Sequence, residues 1–314
     1  MDIFSLVQPR PDAEIQDLRS QFERAAPFPH VVIDGFLREA FFTQLQREFP
    51  QSGKEYDRFC REDGGQRGTN YANGSRKSFP SAFARLDELI ASAAFRALVS
   101  RLTGIDHLEY DPDYFGGGIR ESRSGTFLPP HLDFNHHPKT RFHRRMNLLF
   151  YLNDEWDAAW GGNLQVHRDP NEFRDNNSLV ASYVPARNRC LIFETSETSW
   201  HGFDRLQLPT GMTRRAFTIY YYTEQRPGQE RIQLHNTEYV EPPLPPHFQA
   251  GHVLTESDVA LLHEYITRRD TRIRMLYDLR MQLEERMRNI AVFVVKTAAH
   301  RVMARVKRGL GKRP

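Results

Sequence analysis

Between residues 108 and 223 the sequence is a series of short alternating or aromatic-rich runs separated by Gly, Pro and Asn. Many short strands joined by turn residues are typical of a β-sandwich or barrel, whereas a parallel sheet needs crossover helices between its strands. The pattern therefore predicts a mainly β core. The runs expected to form strands are Met146–Leu152, Asn163–His167, Leu179–Val184, Cys190–Glu194 and Arg214–Thr223.

Helical patterns flank this core on both sides. Before it we expect helices over Asp12–Ala25, Glu39–Phe49 and Ala82–Leu102, an extended run at Pro29–Ile33, and a polar loop over 51–75. After it, a proline-rich stretch leads to a helical segment that begins at the capping pair Thr255 and Asp258. The expected organisation is a helical flank with one sheet-extending strand over 1–104, the core over 105–228, a linker over 229–254, one or more helices over 255–287, and a basic amphipathic tail over 288–314.

The charge of the chain is unevenly distributed. The formal net charge is only +3, yet residues 288–314 hold eight basic side chains and no acidic one, so the remainder is net acidic. Three interpretations of this tail stay open: a solvated or partner-docked helix, contact with an anionic membrane surface, and contact with nucleic acid or the ribosome.

Cysteine content and the N-terminus bear on the compartment. Cys60 and Cys190 are too few for a disulfide framework, and Cys190 lies in an apolar run, which indicates a core thiol in a reducing environment. The first residues lack the pattern of a signal peptide, and no run approaches about 18 apolar residues. We therefore expect a cytoplasmic protein, peripheral at the membrane if the tail binds lipid.

Three side chains form a candidate metal site. Residues two apart on a strand point to one face, so His131 and Asp133 can aim at the same point. His201 follows a predicted strand and supplies a third ligand. Two imidazoles and one carboxylate hold Fe(II) on one face and leave three coordination positions open.

The other histidines of this region have weaker indications. His136, His137 and His143 lie near the ligands in sequence and are expected in an exposed or substrate-facing loop. His167 stays open between a position at the substrate mouth, beside Gln165, and a place on a surface strand.

In their order along the chain, these motifs resemble the Fe(II)- and 2-oxoglutarate-dependent dioxygenases, in particular their prolyl-4-hydroxylase-like branch. The resemblance covers about residues 108–224. It implies a double-stranded β-helix (a jelly roll, cupin-like) backed by N-terminal helices and followed by a C-terminal helical extension. It also implies Fe(II), 2-oxoglutarate and O₂, with ascorbate as a supporting reductant. The matching pieces are His131-Leu132-Asp133, residues 147–156, Gly161-Gly162-Asn163-Leu164, Trp200-His201-Gly202 and residues 214–221.

The cosubstrate that this resemblance implies needs a cationic partner. If 2-oxoglutarate chelates iron through its 1-carboxylate and keto oxygens, its 5-carboxylate requires a bidentate cation, and Arg214 and Arg215 are alternatives. Alternation places Arg214 on a face with the small residues Ala216 and Thr218, so Arg214 is preferred.

Three further residues are predicted to contact the cosubstrate. Tyr151 and Asn147 share a face of the preceding strand, and Thr218 lies on the face of Arg214. For Tyr151 the alternative is a core aromatic side chain whose hydroxyl is satisfied elsewhere.

The predicted activity is hydroxylation of an unactivated C–H bond, with a prolyl residue of a protein as the first candidate substrate. Two alternatives stay open. One is the same chemistry on a free amino acid, a sugar or a lipid-linked precursor; the other is a non-redox β-barrel metal-binding module or isomerase. The strand at Arg214 lacks the Arg-X-Asn-X-Thr-X-Arg pattern of nucleic-acid demethylases, so specific DNA recognition is not expected. Within the family, the carboxylate at Asp133 favours hydroxylation over halogenation.

Overall fold

A computed structural model describes residues 3–50, 68–70, 76, 79–172, 178–226, 228, 232–241 and 244–310. For 68–70, 291–292 and 294–310 it describes the backbone alone. Cys60 and most of the loop predicted over 51–75 lie outside these residues. The chain divides into two compact units, Met1–Ala250 and Gly251–Pro314.

Two antiparallel sheets form the first unit. In chain order the described strands are β1 (His30–Ile33), β2 (Gly68–Asn70), β3 (Glu109–Tyr110), β4 (Gly118–Ser122), β5 (Leu128–Leu132), β6 (His143–Tyr151), β7 (Leu164–His167), β8 (Leu179–Tyr183), β9 (Cys190–Glu194), β10 (His201–Phe203), β11 (Arg214–Thr223) and β12 (Glu238–Tyr239). The large sheet has the order β1-β9-β6-β11-β4-β2, with β3 also paired to β11, and the small sheet has the order β12-β5-β10-β7-β8. This arrangement confirms the predicted mainly β, double-stranded β-helix fold with helical flanks.

The central strand β6 contains an irregularity that matters for the site. Met146 pairs with Tyr221 and Arg144 pairs with Tyr222, so Arg145 has no counterpart on β11. One extra residue of this kind is a β-bulge, and it reverses the alternation of side chains along the strand. As a result Arg144 and Asn147, three residues apart, point to the same face.

Helices cover the outer face of the large sheet. They are α1 (Asp12–Arg24), α2 (Glu39–Arg47), α3 (Ser81–Ala91) and α4 (Ala93–Thr103). The sequence pattern over Ala82–Leu102 is two helices rather than one, because Ser92 ends the first and its hydroxyl accepts a hydrogen bond from the Phe95 amide to cap the second. The main core lies between these helices and the outward side chains of the large sheet, such as Phe217.

A smaller apolar cluster fills the space between the two sheets. Its members come from the inward faces of β6, β7, β9 and β11 together with Phe28, and they leave polar side chains grouped at either end of the interior. The cluster consists of Phe28, Tyr151, Leu164, Val166, Leu191, Phe193 and Ala216.

The second unit is dominated by one helix, α5 (Glu256–Leu310), which runs without interruption past residue 287, where the basic tail was predicted to begin. Its start has the predicted cap: the Thr255 amide donates to the Asp258 carboxylate, and the Asp258 amide donates to the Thr255 hydroxyl. Among the described residues, no helix is both long and apolar enough to cross a lipid bilayer.

Candidate active site

The structure brings the three predicted metal ligands together on neighbouring strands of the small sheet. His131 on β5 and His201 on β10 are direct partners across the ladder, and Asp133 follows the end of β5. His131 Nε2 lies 3.7 Å from Asp133 Oδ1, and His201 Nε2 lies 3.5 Å from Asp133 Oδ2. All three ligand atoms lie within 4.8 Å of one another, which is the spacing of a site for a single ion.

Both imidazoles are oriented by backbone carbonyl groups. His131 Nδ1 donates to the Pro129 carbonyl oxygen at 3.0 Å, and His201 Nδ1 donates to the Ser199 carbonyl oxygen at 2.8 Å. This leaves each Nε2 lone pair facing the common centre. Burial lowers the pKa of His131 to about 3 and also lowers the pKa of His201, so both rings are neutral, as metal ligands must be.

The carboxylate of Asp133 is held by two side chains from β6. Its Oδ2 accepts hydrogen bonds from Arg144 at 2.8 Å and from Asn147 Nδ2 at 2.7 Å. Burial alone would raise the pKa of Asp133, but the positive charge of Arg144 and the hydrogen bond from Asn147 hold it below its usual range. The group is therefore ionised, and Oδ1 is available to a cation.

Sequence reasoning missed Arg144. Its side chain is fully buried, and its guanidinium lies over the rings of Tyr220 at 3.4 Å and Phe134 at 4.4 Å. Simple alternation from Asn147 places Arg144 on the outer face of β6, and the bulge at Arg145 turns it inward. The signal in the sequence was a pair of adjacent arginines in a strand whose other residues are mostly apolar.

Asn147 was predicted to contact the cosubstrate, and the structure places its side chain on Asp133 instead. Its Oδ1 accepts from both Nε and Nη2 of Arg144, at 3.0 and 2.8 Å. The amide therefore links the ligand carboxylate to the buried guanidinium. A cosubstrate role for Asn147 stays a prediction.

A second buried cation, Arg214, lies at the start of β11. Its Nε donates to the Gly162 carbonyl oxygen at 2.9 Å, one Nη lies 3.4 Å from the Tyr151 hydroxyl, and the guanidinium lies 4.7 Å from the Phe203 ring centre. Within the described part of the chain no carboxylate forms an ion pair with it. Burial consequently lowers the pKa of Arg214.

The neighbouring Arg215 points the other way. It is partly exposed, lies over the ring of Phe49 at 4.8 Å, and donates to the Thr213 hydroxyl at 3.2 Å. Of the two arginines left open by the sequence, only Arg214 faces the interior between the sheets, together with Tyr151 and the buried Thr218.

Gly162 makes room for the Arg214 side chain. Its φ is +69°, and a Cβ there would lie 2.3 Å from Leu206 Cδ2 and 3.0 Å from Arg214 Cδ. A larger residue would therefore displace the arginine as well as strain the backbone.

The strand β10 gives a measure of the distance between the metal ligands and Arg214. Phe203, which touches Arg214, lies two residues beyond His201 on β10, and two residues of a strand span about 7 Å. That is on the order of the length of a five-carbon dicarboxylate. The donor set at one end, and at the other a cation that pairs with no carboxylate among the described residues, thus fit Fe(II) with chelated 2-oxoglutarate.

Part of the segment predicted as a linker lies against the metal ligands. In this strap (residues 232–240), Tyr239 of β12 pairs with His131 and its ring stacks on the imidazole at 5.3 Å. Asn135 donates to the Gln233 carbonyl oxygen at 2.8 Å and to Glu197 at 3.0 Å. A two-residue strand in a proline-rich stretch carries no usable periodicity, so only the ladder with β5 reveals it.

An ion pair reinforces the strap. His235 Nε2 lies 2.9 Å from Glu197 Oε2, and this carboxylate raises the pKa of His235 to about 9. The ionised imidazole in turn helps to hold the pKa of Glu197 below its usual range, against the effect of burial.

The other nearby histidines have structural environments of their own. His137 is buried and lies 3.3 Å from Asp111, whereas His136 and His143 form a tilted ring pair with centres 4.3 Å apart. His167 is buried rather than on the surface, its Nδ1 bonds to the Ser178 hydroxyl at 3.0 Å, and its Nε2 has no hydrogen-bond partner in the described structure. Burial and the nearby His201 lower the pKa of His167 to about 4.

Comparison with known proteins agrees with this geometry. A family model described as the 2OG-Fe(II) oxygenase superfamily matches residues 117–222, a segment that includes the three predicted ligands and Arg214. This match confirms the resemblance inferred from the motifs.

Similar individual proteins include Prolyl 3-hydroxylase OGFOD1 of Mus musculus, which is 24% identical over 286 residues, or 87% of this chain and 45% of that protein. The chain thus spans less than half of the length of this relative. Among solved structures, a Trichoplax adhaerens prolyl hydroxylase in complex with a hypoxia inducible factor peptide fragment has a TM-score of 0.47 and 17% identity, covering 68% of this chain and 90% of that one. HygX from Streptomyces hygroscopicus, with nickel and 2-oxoglutarate bound, has a TM-score of 0.41 and 14% identity, covering 70% of this chain and 97% of that one.

Proposed function

Because residues 117–222 match the 2OG-Fe(II) oxygenase superfamily, we propose that this chain is an Fe(II)- and 2-oxoglutarate-dependent dioxygenase that hydroxylates an unactivated C–H bond. One observation carries the proposal: His131, Asp133 and His201 converge in a buried site, and the same interior contains Arg214, which pairs with no carboxylate in the described part of the chain. A buried arginine beside the metal site is not required by a non-redox metal-binding module or isomerase, because neither binds 2-oxoglutarate.

The protein contributes ligands, orientation and charge. His131 and His201 would hold Fe(II) through Nε2, and Asp133 through Oδ1, while its Oδ2 stays on Arg144 and Asn147. Bound Fe(II) and 2-oxoglutarate supply the oxidising chemistry, in which one atom of O₂ enters succinate as CO₂ leaves and the other enters the product.

The pocket at Arg214 selects the cosubstrate. Its guanidinium would bind the 5-carboxylate, and the Tyr151 hydroxyl would donate a further hydrogen bond. The apolar cluster around Tyr151, which includes Phe193 and Ala216, keeps water from this pocket and so strengthens the charge pairing.

We propose a prolyl residue of a protein as the substrate. The mouse relative is by name a prolyl 3-hydroxylase, which supports this substrate class. Aromatic rings also lie beside the metal ligands: Tyr239 stacks on His131, and Tyr220 lies over Arg144 next to Asp133. Such rings suit the apolar faces of a pyrrolidine ring.

Succinate release tests the reaction class. With Fe(II), 2-oxoglutarate and O₂, the wild-type protein should produce succinate slowly even without substrate, and His131→Ala should produce none. Absence of succinate from metal-loaded wild-type protein would reject the oxygenase and favour the non-redox alternative.

Peptide mass spectrometry tests the substrate class. A cell extract treated with the wild-type protein, compared with one treated with His131→Ala, should contain peptides that have gained one oxygen atom on proline. Oxygen gained only by small molecules would transfer the proposal to a free amino acid, a sugar or a lipid-linked precursor.

We further propose that the protein is cytoplasmic and that residues 288–314 bind an anionic membrane surface or an acidic partner. The eight basic residues of this segment, together with its lack of acidic residues, support the second part of the proposal. Co-sedimentation with anionic vesicles should decrease when residues 288–314 are deleted. Unchanged vesicle binding, or none by the full chain, would reject the membrane part of the proposal.

A further inference from the structure

The helix α5 carries a heptad pattern. Between Val259 and Val294, eleven positions follow one another at alternating intervals of three and four residues. Nine of these eleven positions hold apolar residues. Spacing of this kind marks the a and d positions of a coiled coil. The a positions are Val259, Ile266, Ile273, Arg280, Met287 and Val294, and the d positions are Leu262, Arg269, Leu276, Leu283 and Ile290.

The period itself distinguishes a coiled coil from an ordinary amphipathic helix. A straight α-helix has 3.6 residues per turn, so a strict seven-residue stripe drifts by about 20° per heptad around it. Over five heptads the apolar stripe therefore rotates by about 100° around a straight helix, so the stripe could not stay in contact with a flat surface along its whole length. A second helix that supercoils around the first follows it throughout.

From Ile266 to Ile290 the apolar side chains of the stripe are exposed to solvent. Ile266, Leu276 and Met287 are 56%, 66% and 69% exposed. The helix has 55 residues and is therefore about 80 Å long. A long helix of this kind gains most of its stability by packing its apolar face, which implies that a partner covers the stripe.

We propose that the partner is a second copy of this chain, bound antiparallel to form a two-stranded coiled coil. The two arginines determine the direction. In a parallel, in-register pair Arg269 and Arg280 would each meet the same residue of the other copy inside the seam, and like charges there repel. In an antiparallel pair a positions meet d positions, so each arginine meets an apolar residue.

One antiparallel register avoids like-charge contacts both at the a and d positions, which form the seam between the helices, and at the flanking e and g positions. With Ile273 opposite Ile290 of the partner subunit, Arg280 meets Leu283 of the partner subunit and Arg269 meets Val294 of the partner subunit. Arg280 also pairs with Glu284 of its own helix at 2.8 Å, which draws its charge to the edge of the seam.

The flanking positions agree with this register. Glu284 faces Tyr277 of the partner subunit and Arg286 faces Leu279 of the partner subunit, so no like charges meet. If the partner helix were displaced by one heptad in one direction, Asp270 would face Glu284 of the partner subunit and Arg272 would face Arg286 of the partner subunit. Both contacts join like charges and are unfavourable. This self-complementarity favours a second copy over an unrelated helix.

Oligomeric state tests the proposal in the full-length protein. Analytical ultracentrifugation should show a dimer at micromolar concentration. Leu276→Glu should weaken dimerisation on the order of 100-fold or more, because it places a carboxylate in the seam of both copies. Met281→Glu is the matched control: it is 65% exposed on the same helix but lies outside the seam, and it should leave the dimer intact.

Two results would overturn the proposal: a monomeric wild-type protein, or equal dissociation by both glutamate variants. A wild-type monomer that binds anionic vesicles, with binding lost in Leu276→Glu alone, would assign the stripe to a lipid surface instead. Unchanged succinate release in Leu276→Glu would separate this result from any failure of the catalytic proposal.

Disulfide trapping tests the direction. Leu276 faces Met287 of the partner subunit in the proposed register, so Leu276→Cys combined with Met287→Cys should give a covalent dimer under mild oxidation. Leu276→Cys alone should give no more than the wild-type protein, which carries only Cys60 and the buried Cys190. A covalent dimer from the single variant would show parallel helices and overturn the antiparallel arrangement.

Discussion

The two ends of the interior between the sheets each contain a buried arginine, and they differ in what balances its charge. At the metal end Arg144 is paired with Asp133 at 2.8 Å, whereas Arg214 at the other end has a carbonyl oxygen, a hydroxyl and aromatic rings around it. A buried charge without a counterion is costly, so a fold retains one where a ligand supplies the opposite charge. The charge of Arg144 is therefore neutralised within the protein, whereas Arg214, which pairs with no carboxylate that the structure describes, is available to an anionic ligand.

Replacement of Arg144 should have the largest effect on stability. Arg144→Met leaves Asp133 buried without its counterion, and the free energy of unfolding of the metal-free protein should fall by about 3–5 kcal/mol. Urea denaturation followed by circular dichroism measures this. Combination with Asp133→Asn should recover part of the loss, and equal stability of Arg144→Met and wild type would refute the pairing.

Replacement of Arg214 should have little effect on stability and a large effect on 2-oxoglutarate affinity. Arg214→Met should change the stability of the ligand-free protein by less than about 1 kcal/mol, yet weaken 2-oxoglutarate binding by about 2–5 kcal/mol. Calorimetry without oxygen measures the affinity. Arg215→Met is the matched control, because that neighbour faces away from the interior and should bind 2-oxoglutarate as the wild type does.

Ligand stabilisation sharpens the same contrast. At about 100 times its dissociation constant, 2-oxoglutarate with bound metal should stabilise the wild-type protein by about 2.7 kcal/mol. Thermal unfolding should show this shift in Arg215→Met and lack it in Arg214→Met. A shift retained by Arg214→Met would mean that the cosubstrate binds elsewhere.

Removal of the Tyr151 hydroxyl should have a smaller effect. Tyr151→Phe keeps the packing and deletes one hydrogen-bonding group, so 2-oxoglutarate affinity should fall by about 0.5–1.5 kcal/mol. Tyr183→Phe removes the hydroxyl that bonds to His30 and should leave affinity unchanged. If Tyr151→Phe binds 2-oxoglutarate with wild-type affinity, Tyr151 is a core aromatic only.

The smallest effect concerns the strap and depends on pH. The pKa of His235 is raised to about 9 from 6.5, so the pair with Glu197 contributes fully below 6.5 and is lost as pH rises through about 9. At about pH 6, His235→Gln should destabilise the protein by up to about 1 kcal/mol, since the pair is only partly shielded from water, and by less at about pH 10. Thermal unfolding at both values measures the difference, and equal destabilisation at the two values would contradict the ion pair.

Much of the fold was accessible from the sequence. β9 and β11 have the predicted limits, because each contains an apolar or aromatic run, Cys190–Phe193 and Ile219–Tyr222, with polar residues beyond it. The pairing of His131 and Asp133 on one face follows from strand alternation, and the choice of His201 as the third ligand followed from its place after a predicted strand and was reinforced by the family resemblance.

The remainder depended on tertiary structure. Arg144 points into the interior because of the bulge at Arg145. Regular alternation of side chains along β6 would place Arg144 on the outer face. Asn147 was placed on the correct face, but its partner Asp133 lies on another segment of the chain. The separation of α3 from α4 at Ser92 was readable in principle, because serine is a common helix N-cap.

The strand β12 also limits how a polypeptide can approach the metal. It occupies the free edge of β5 beside His131, so an incoming chain cannot extend the small sheet at that strand by backbone pairing. Selectivity near the metal would then depend on side chains, many of them in the strap, which can be exchanged without altering the ladders that position the ligands. Substitution of side chains in residues 232–240 is therefore a direct way to change what can approach the predicted metal site while the ligand positions stay intact.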